Sequence, residues 1–167
     1  VGESGHTGDV LAAGCRGDGF DPLTASDSSP DLVTSLLHVT RMFNHLQTTV
    51  AERHGLTAMQ SRLLCVLLTE PKGMAALADM FQVERAALTG LVDRAEQRDL
   101  VQRQPVVGDR RAVQVALTAT GRQTAHAFHT EFTTEVGDLL TDIPDADRDR
   151  LRRTLLSILT NGRRPPR

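Results

Sequence analysis

From residue 31 onward the apolar positions follow one period and then another. Leu32, Leu36, Val39, Phe43, Leu46 and Val50 recur at intervals of four and three. That spacing predicts a helix with a heptad-like seam, suited to packing on another helix or on a second chain. Asp31 opens it and Gly55 ends it. Thr57 then stands as the cap of a second helix through Leu63, Leu64, Val66, Leu67 and Leu68, broken at Pro71–Gly73. Two short amphipathic helices follow. Met74–Phe81 turns Leu77, Ala78 and Phe81 inward, and Glu84–Arg98 does the same with Leu88, Leu91, Val92 and Ala95. Only Gln82 and Val83 separate them, which is the spacing of a helix-turn-helix.

After Asp99 the period drops to two. The stretch LVQRQPVV at 100–107 reads as a strand and Gly108 as a turn. Val113, Val115 and Leu117 then alternate with Ala112, Gln114 and Ala116 on the return, so Asp109, Arg110 and Arg111 fall at a hairpin tip. Thr118 caps a long helix through Ala125, Phe128, Phe132, Val136 and Leu139–Leu140. Pro144 starts a last one with Leu151, Leu155, Ile158 and Leu159, stopped by Asn161–Gly162. The predicted fold is mainly α with a small β-hairpin wing. A winged helix-turn-helix at about 57–118 lies between dimerisation helices at about 31–54 and 119–160. Residues 1–30 form an irregular acidic extension with a short helical turn near Val10–Ala13, and 161–167 a basic tail.

Charge and composition sharpen this picture. Aromatics are 3% of the chain, with no Trp or Tyr, so the core is built from Leu, Val and Ala and stacking platforms for single-stranded nucleic acid are missing. Duplex DNA is different, because its phosphates attract cations and its narrow minor groove accepts Arg. Alone, the triplet Asp109-Arg110-Arg111 reads as a solvated turn. Behind a helix-turn-helix and ahead of an alternating strand it reads as a DNA contact, with Asp109 holding a neighbouring Arg in one rotamer. On the second short helix, positions 85, 86, 89, 90, 93 and 97 lie largely away from the inward face. Arg85 in its first turn can reach base or phosphate, and Gly90 weakens the helix while permitting close approach of backbone to DNA.

Three stretches carry a family resemblance: LTAMQSRLLCVL at 56–67, ALADMFQVERAALTGLVDRAEQRDLVQR at 76–103 and DRRAVQVALTATGR at 109–122. Over roughly residues 31–160 the sequence resembles the MarR family of transcriptional regulators, most specifically in its Asp-x-Arg wing followed by Leu-Thr-x-x-Gly-Arg. The resemblance implies a homodimer on a palindromic duplex operator, acting as a repressor that a small ligand releases. It implies that Asp109 and Arg111 are the wing pair and that Thr89 and Arg94 face the major groove; an ion pair of Arg94 with Asp93 or another acid is the competing reading. The sequence departs from the family at Glu84, Ala86 and Ala87, where hydroxyl residues are usual, and at Asp99, where Gly is usual. A Glu at a helix start suits the helix dipole but repels phosphate. These departures keep open a winged-helix module that binds proteins and reads DNA weakly.

For the effector, a cleft lined by Met42, Phe43, His45, Leu46, Met59, Arg62 and Leu63 would take a small apolar or aromatic molecule, on fold analogy. Metal sensing is the alternative. His126 and His129 share a helix face and His38 and His45 lie seven apart, but such histidines are more often surface or interface residues, and no metal or cofactor is assigned. Cys15 lies in irregular sequence and Cys65 in an apolar run that reads as buried and inert, which disfavours oxidant sensing. The Trp typical of urate-binding members is missing. No nucleophile elbow, phosphate-cradling glycine loop or HExxH motif suggests an enzyme. No apolar run approaches a membrane span and no secretory leader is evident, so the expected location is the cytoplasm.

Overall fold

The computed structural model describes residues 30–106 and 109–162, with side chains over 30–106 and 112–160. The helical turn expected near Val10–Ala13, Cys15 and the last five residues of the basic tail lie outside the described residues. In chain order the elements are α1 (Leu32–Arg53), α2 (Ala58–Leu67), β1 (Lys72–Gly73), α3 (Met74–Phe81), α4 (Arg85–Gln97), β2 (Val101–Val106), β3 (Asp109–Leu117), α5 (Ala119–Asp138) and α6 (Asp145–Gly162). The chain forms two compact units, divided between Arg62 and Leu63.

In the first unit, Asp31 caps α1: its Oδ1 accepts the Thr34 N–H at 2.8 Å, and hydrogen bonding from Thr34 holds the carboxyl below its ordinary range. Gly55, at φ 65°, ends the helix in the left-handed region, and the Leu56 N–H then returns to the Ala51 carbonyl at 2.8 Å. Thr57 and Gln60 form a reciprocal capping box. The Thr57 N–H donates to Gln60 Oε1 at 3.1 Å, and the Gln60 N–H to Thr57 Oγ1 at 3.2 Å. The last turn of α1 is buried at Val50 and Ala51, whereas its first half is open, with Leu32 84% and Leu36 47% exposed.

The second unit holds the remaining elements. Leu77, Ala78 and Phe81 of α3 and Leu88, Leu91, Val92 and Ala95 of α4 are buried, as their spacing requires. So are Val101, Val115, Ala116 and Leu117 of the sheet and Ala125 and Phe128 of α5. The sheet order is β1-β3-β2, all antiparallel. Its third strand escaped the hydrophobic pattern, since two residues have no period; Lys72 pairs with Val115 and Gly73 with Gln114. The hairpin also differs from expectation. Asp109–Arg111, expected at its tip, belong to the backbone of β3. Pairing runs regularly from Val101↔Leu117 to Pro105↔Val113, then jumps to Val106↔Asp109. Pro105 has no N–H for the ladder, and the register shifts beside it. Along α6, Leu151, Leu155, Leu156, Ile158 and Leu159 are all exposed.

Candidate nucleic-acid interface

The turn between α3 and α4 is tight without a glycine. Gln82 takes the left-handed conformation at φ 53°, its Nε2 donating to the Asp79 carbonyl at 2.6 Å, while the Val83 N–H reaches the Ala78 carbonyl at 3.2 Å. Glu84 is the N-cap of α4 in extended backbone and makes no side-chain capping bond. Four residues on, the buried face of α4 begins, and this fixes what faces outward. Arg85, Ala86, Ala87, Thr89 and Arg94 are exposed and Gly90 is half-buried. Thr89 Oγ1 donates to the Arg85 carbonyl at 2.9 Å, which leaves the hydroxyl oxygen as an acceptor at the surface. Arg94 folds back toward Gly90: a Cβ at position 90 would lie 3.2 Å from Arg94 Nη1. Asp93, one candidate partner for Arg94, is taken by Arg103.

Arg103 had no signal in the sequence, because its partners lie seven and ten residues away. From β2 its Nη2 reaches Asp93 Oδ1 at 2.6 Å and its Nη1 reaches Glu96 Oε2, both on α4. Its backbone N–H donates to the other Glu96 oxygen, Oε1, at 3.0 Å. Hydrogen bonding to Asp93 leads the effects that raise the guanidinium pKa further above its ordinary value.

A second joint fastens α4 to α5. Asp99 adopts φ 54°, where a side chain is costly, and its carboxylate Oδ2 accepts from Thr120 Oγ1 at 2.8 Å. Thr118 Oγ1 donates to the Asp99 carbonyl at 2.5 Å and accepts the Gly121 N–H at 2.9 Å, and the Thr118 N–H donates to the Leu100 carbonyl at 3.3 Å. Gly121 sits so close to that carbonyl that a Cβ would fall 1.7 Å from its oxygen. The Leu-Thr-x-x-Gly run is therefore a structural seam: the hydroxyl caps α5 while the glycine lets the helix touch the end of the α4–β2 turn.

Of the wing residues, Asp109, Arg110 and Arg111 are placed by backbone in β3, and their side chains lie outside the described residues. Of the seven residues expected to line an effector cleft, Met42, Phe43, Leu46 and Met59 are half-buried and His45 and Arg62 exposed. Leu63 is fully buried, and Arg62 Nη1 reaches Met59 Sδ at 3.9 Å. His38 is half-buried, His126 and His129 are exposed, and among the described residues no three His, Cys, Asp or Glu gather as a metal site. Cys65 is half-buried rather than fully enclosed, and burial pushes its thiol pKa up. Among the described residues no helix is long and apolar enough to cross a membrane.

Comparison with known proteins follows the same outline. Residues 54–112 match the model of the MarR family. Over 106 residues the chain is 35% identical to the HTH-type transcriptional repressor NicR of Pseudomonas putida, covering 56% of this chain and 67% of that one. Among solved structures it is similar to CouR from Rhodococcus jostii bound to p-coumaroyl-CoA, with 25% identity, TM-score 0.62, and 80% and 95% of the two chains covered. It is also similar in fold to the apo form of MarR from E. coli, with 22% identity, TM-score 0.67, and 79% and 99% covered.

Proposed function

The chain belongs to the MarR family of transcriptional regulators, and we propose that it is a homodimeric repressor that binds a palindromic duplex operator and is released by a small molecule. One observation carries the DNA-binding half. The outward face of α4 presents Arg85, Thr89 and Arg94 around the bare backbone of Gly90, on the second helix of a helix-turn-helix whose inward face is wholly engaged in the core. In this reading Thr89, Gly90 and Arg94 meet base edges in the major groove and Arg85 meets base or phosphate. Arg110 and Arg111 reach the backbone and minor groove, with Asp109 orienting them. A duplex-DNA target puts the action in the cytoplasm.

The exposed leucines of α1 and, separately, of α6 support a dimer, since apolar rows of this kind mark surfaces that a partner covers. The effector is assigned to the apolar or aromatic class. The half-buried Met42, Phe43, Leu46 and Met59 support this, as does the p-coumaroyl-CoA bound by CouR. A winged-helix module for protein partners is the second reading, favoured by one feature: Glu84, Ala86 and Ala87 offer phosphate a repelling charge and no hydroxyls.

Fluorescence anisotropy with duplexes tiled across the protein's own promoter, against a scrambled duplex and at two salt concentrations, separates the two. A repressor gives tight, sequence-dependent, salt-sensitive binding that falls on addition of effector candidates. Equal or absent binding to all duplexes gives the protein-partner reading.

A further inference from the structure

Resting on the DNA-binding reading above, we propose that Arg103 is a positioning residue that clamps the recognition helix to the wing, so that major-groove and wing contacts are made in one fixed register. Arg103 spans two carboxylates one helical turn apart on α4, Asp93 and Glu96, with the two Nη atoms of its planar fork. Glu96 is held from two directions, by the Arg103 side chain and by the Arg103 backbone N–H at 3.0 Å. That N–H belongs to β2, which is an edge strand, so the contact also satisfies a donor the sheet leaves unpaired. The tilt and roll of the C-terminal half of α4 are thereby tied to the strand. Arg103 pairs across the sheet with Val115 in β3, and the same strand begins at Asp109. A short path of paired backbone thus runs from the outward face of α4 through Arg103 to β3, the strand whose first residues are Asp109–Arg111.

The ordinary stability of isolated surface ion pairs does not explain this arrangement. The side chains of Arg103, Asp93 and Glu96 are 29%, 48% and 37% exposed, and ion pairs so exposed add little once screening and side-chain ordering are counted. What three ordered side chains add is orientation, which a site reading two grooves at once needs. Phosphate binding does not explain it either, because two carboxylates outweigh the charge of the one guanidinium.

The test uses the double variant Asp93→Ala/Glu96→Ala, which puts good helix formers on α4 and removes two negative charges, with Arg103→Lys as a charge-preserving companion that loses the fork. Two measurements are made on the full-length protein: amide hydrogen exchange at residue 103, and affinity for the operator duplex and for a scrambled one. The clamp predicts that exchange at residue 103 accelerates at least about tenfold in the double variant, whose acceptor is gone, and that operator-over-scrambled preference falls at least about tenfold in both variants. Binding of the double variant to scrambled duplex stays the same or tightens, since negative charge has been removed. An unchanged preference, with both duplexes bound more tightly by the double variant, would show the carboxylates acting only as charges and overturns the proposal. Unchanged exchange at residue 103 overturns it whatever the DNA result. If the parent itself does not distinguish the duplexes while exchange accelerates, the contact exists but the DNA-binding reading fails and the positioning role fails with it.

Discussion

Adding one methyl group at Gly121 tests the seam between the end of α4 and α5. A Cβ there would lie 1.7 Å from the Leu100 carbonyl oxygen, 2.6 Å from its carbon and 3.1 Å from the Leu100 Cα. Restoring an ordinary contact requires a movement of roughly 1.5–2 Å. Such a shift strains or breaks the bonds from Thr118 Oγ1 to the Asp99 carbonyl, from Thr120 Oγ1 to Asp99 Oδ2 and from the Thr118 N–H to the Leu100 carbonyl. Overpacking costs about 1–3 kcal/mol, each lost bond about 0.5–1.5 kcal/mol, and the better helix propensity of Ala returns about 1 kcal/mol. The net is a loss of roughly 1.5–6.5 kcal/mol, according to how many of the three bonds break, from a total stability of about 5–15 kcal/mol. Urea unfolding followed by circular dichroism reads this directly, since the chain has no Trp or Tyr for fluorescence. The midpoint of Gly121→Ala should fall by about 1–2 M at matched protomer concentration. Gly137, on the same helix with nothing within 4 Å of a Cβ, is the internal control, and Gly137→Ala should gain about 1 kcal/mol. Two variants that both stabilise, or a Gly121→Ala midpoint equal to the parent's, would refute the close approach.

Arg111→Ala should weaken binding to every duplex by about tenfold or more and flatten its salt dependence while leaving the unfolding midpoint in place; unchanged affinity removes Arg111 from the interface. Gly90→Ala should stabilise the fold by about 1 kcal/mol, because its only close neighbour among the described residues is the movable end of Arg94, yet weaken operator binding about tenfold. Improved or unchanged affinity would show that no DNA approaches the α4 backbone there. Leu36→Glu with Leu155→Glu, at positions 47% and 43% exposed, should convert dimer to monomer in sedimentation, and a variant that stays dimeric puts the interface elsewhere. Burial pushes the Cys65 thiol up, so near neutral pH it is less ionised than a free thiol, and its thiolate fraction rises only at higher pH. In a Cys15→Ser variant, iodoacetamide should therefore label slowly, and labelling faster than free cysteine would contradict this.

The helical frame was legible because its signals are local. The four-and-three spacing of α1, the Thr57 cap and the inward faces of α3 and α4 each lie within a few residues of chain, and each recurs in the structure. Three features were not legible, for one shared reason: they depend on residues distant in sequence or on backbone geometry. The strand at Lys72–Gly73 exists only because β3 offers it an edge. The register jump beside Pro105 moved Asp109–Arg111 into a strand that alternation alone began at Val113. Arg103 reads as an ordinary strand residue until α4 folds against it. The Leu-Thr-x-x-Gly run was visible as a motif, but its reason, the contact of Gly121 with Leu100, needed the fold. Asp99 was visible as a departure from glycine; the structure adds how Thr120 accommodates it.

Hydroxyl-radical and methylation footprinting of the promoter duplex would test the proposed DNA-binding mode most directly. A winged-helix homodimer predicts two symmetric major-groove footprints one helical turn or a multiple of it apart, each flanked by minor-groove protection that disappears with Arg111→Ala. A single unsymmetrical footprint, or minor-groove protection that survives Arg111→Ala, would contradict it.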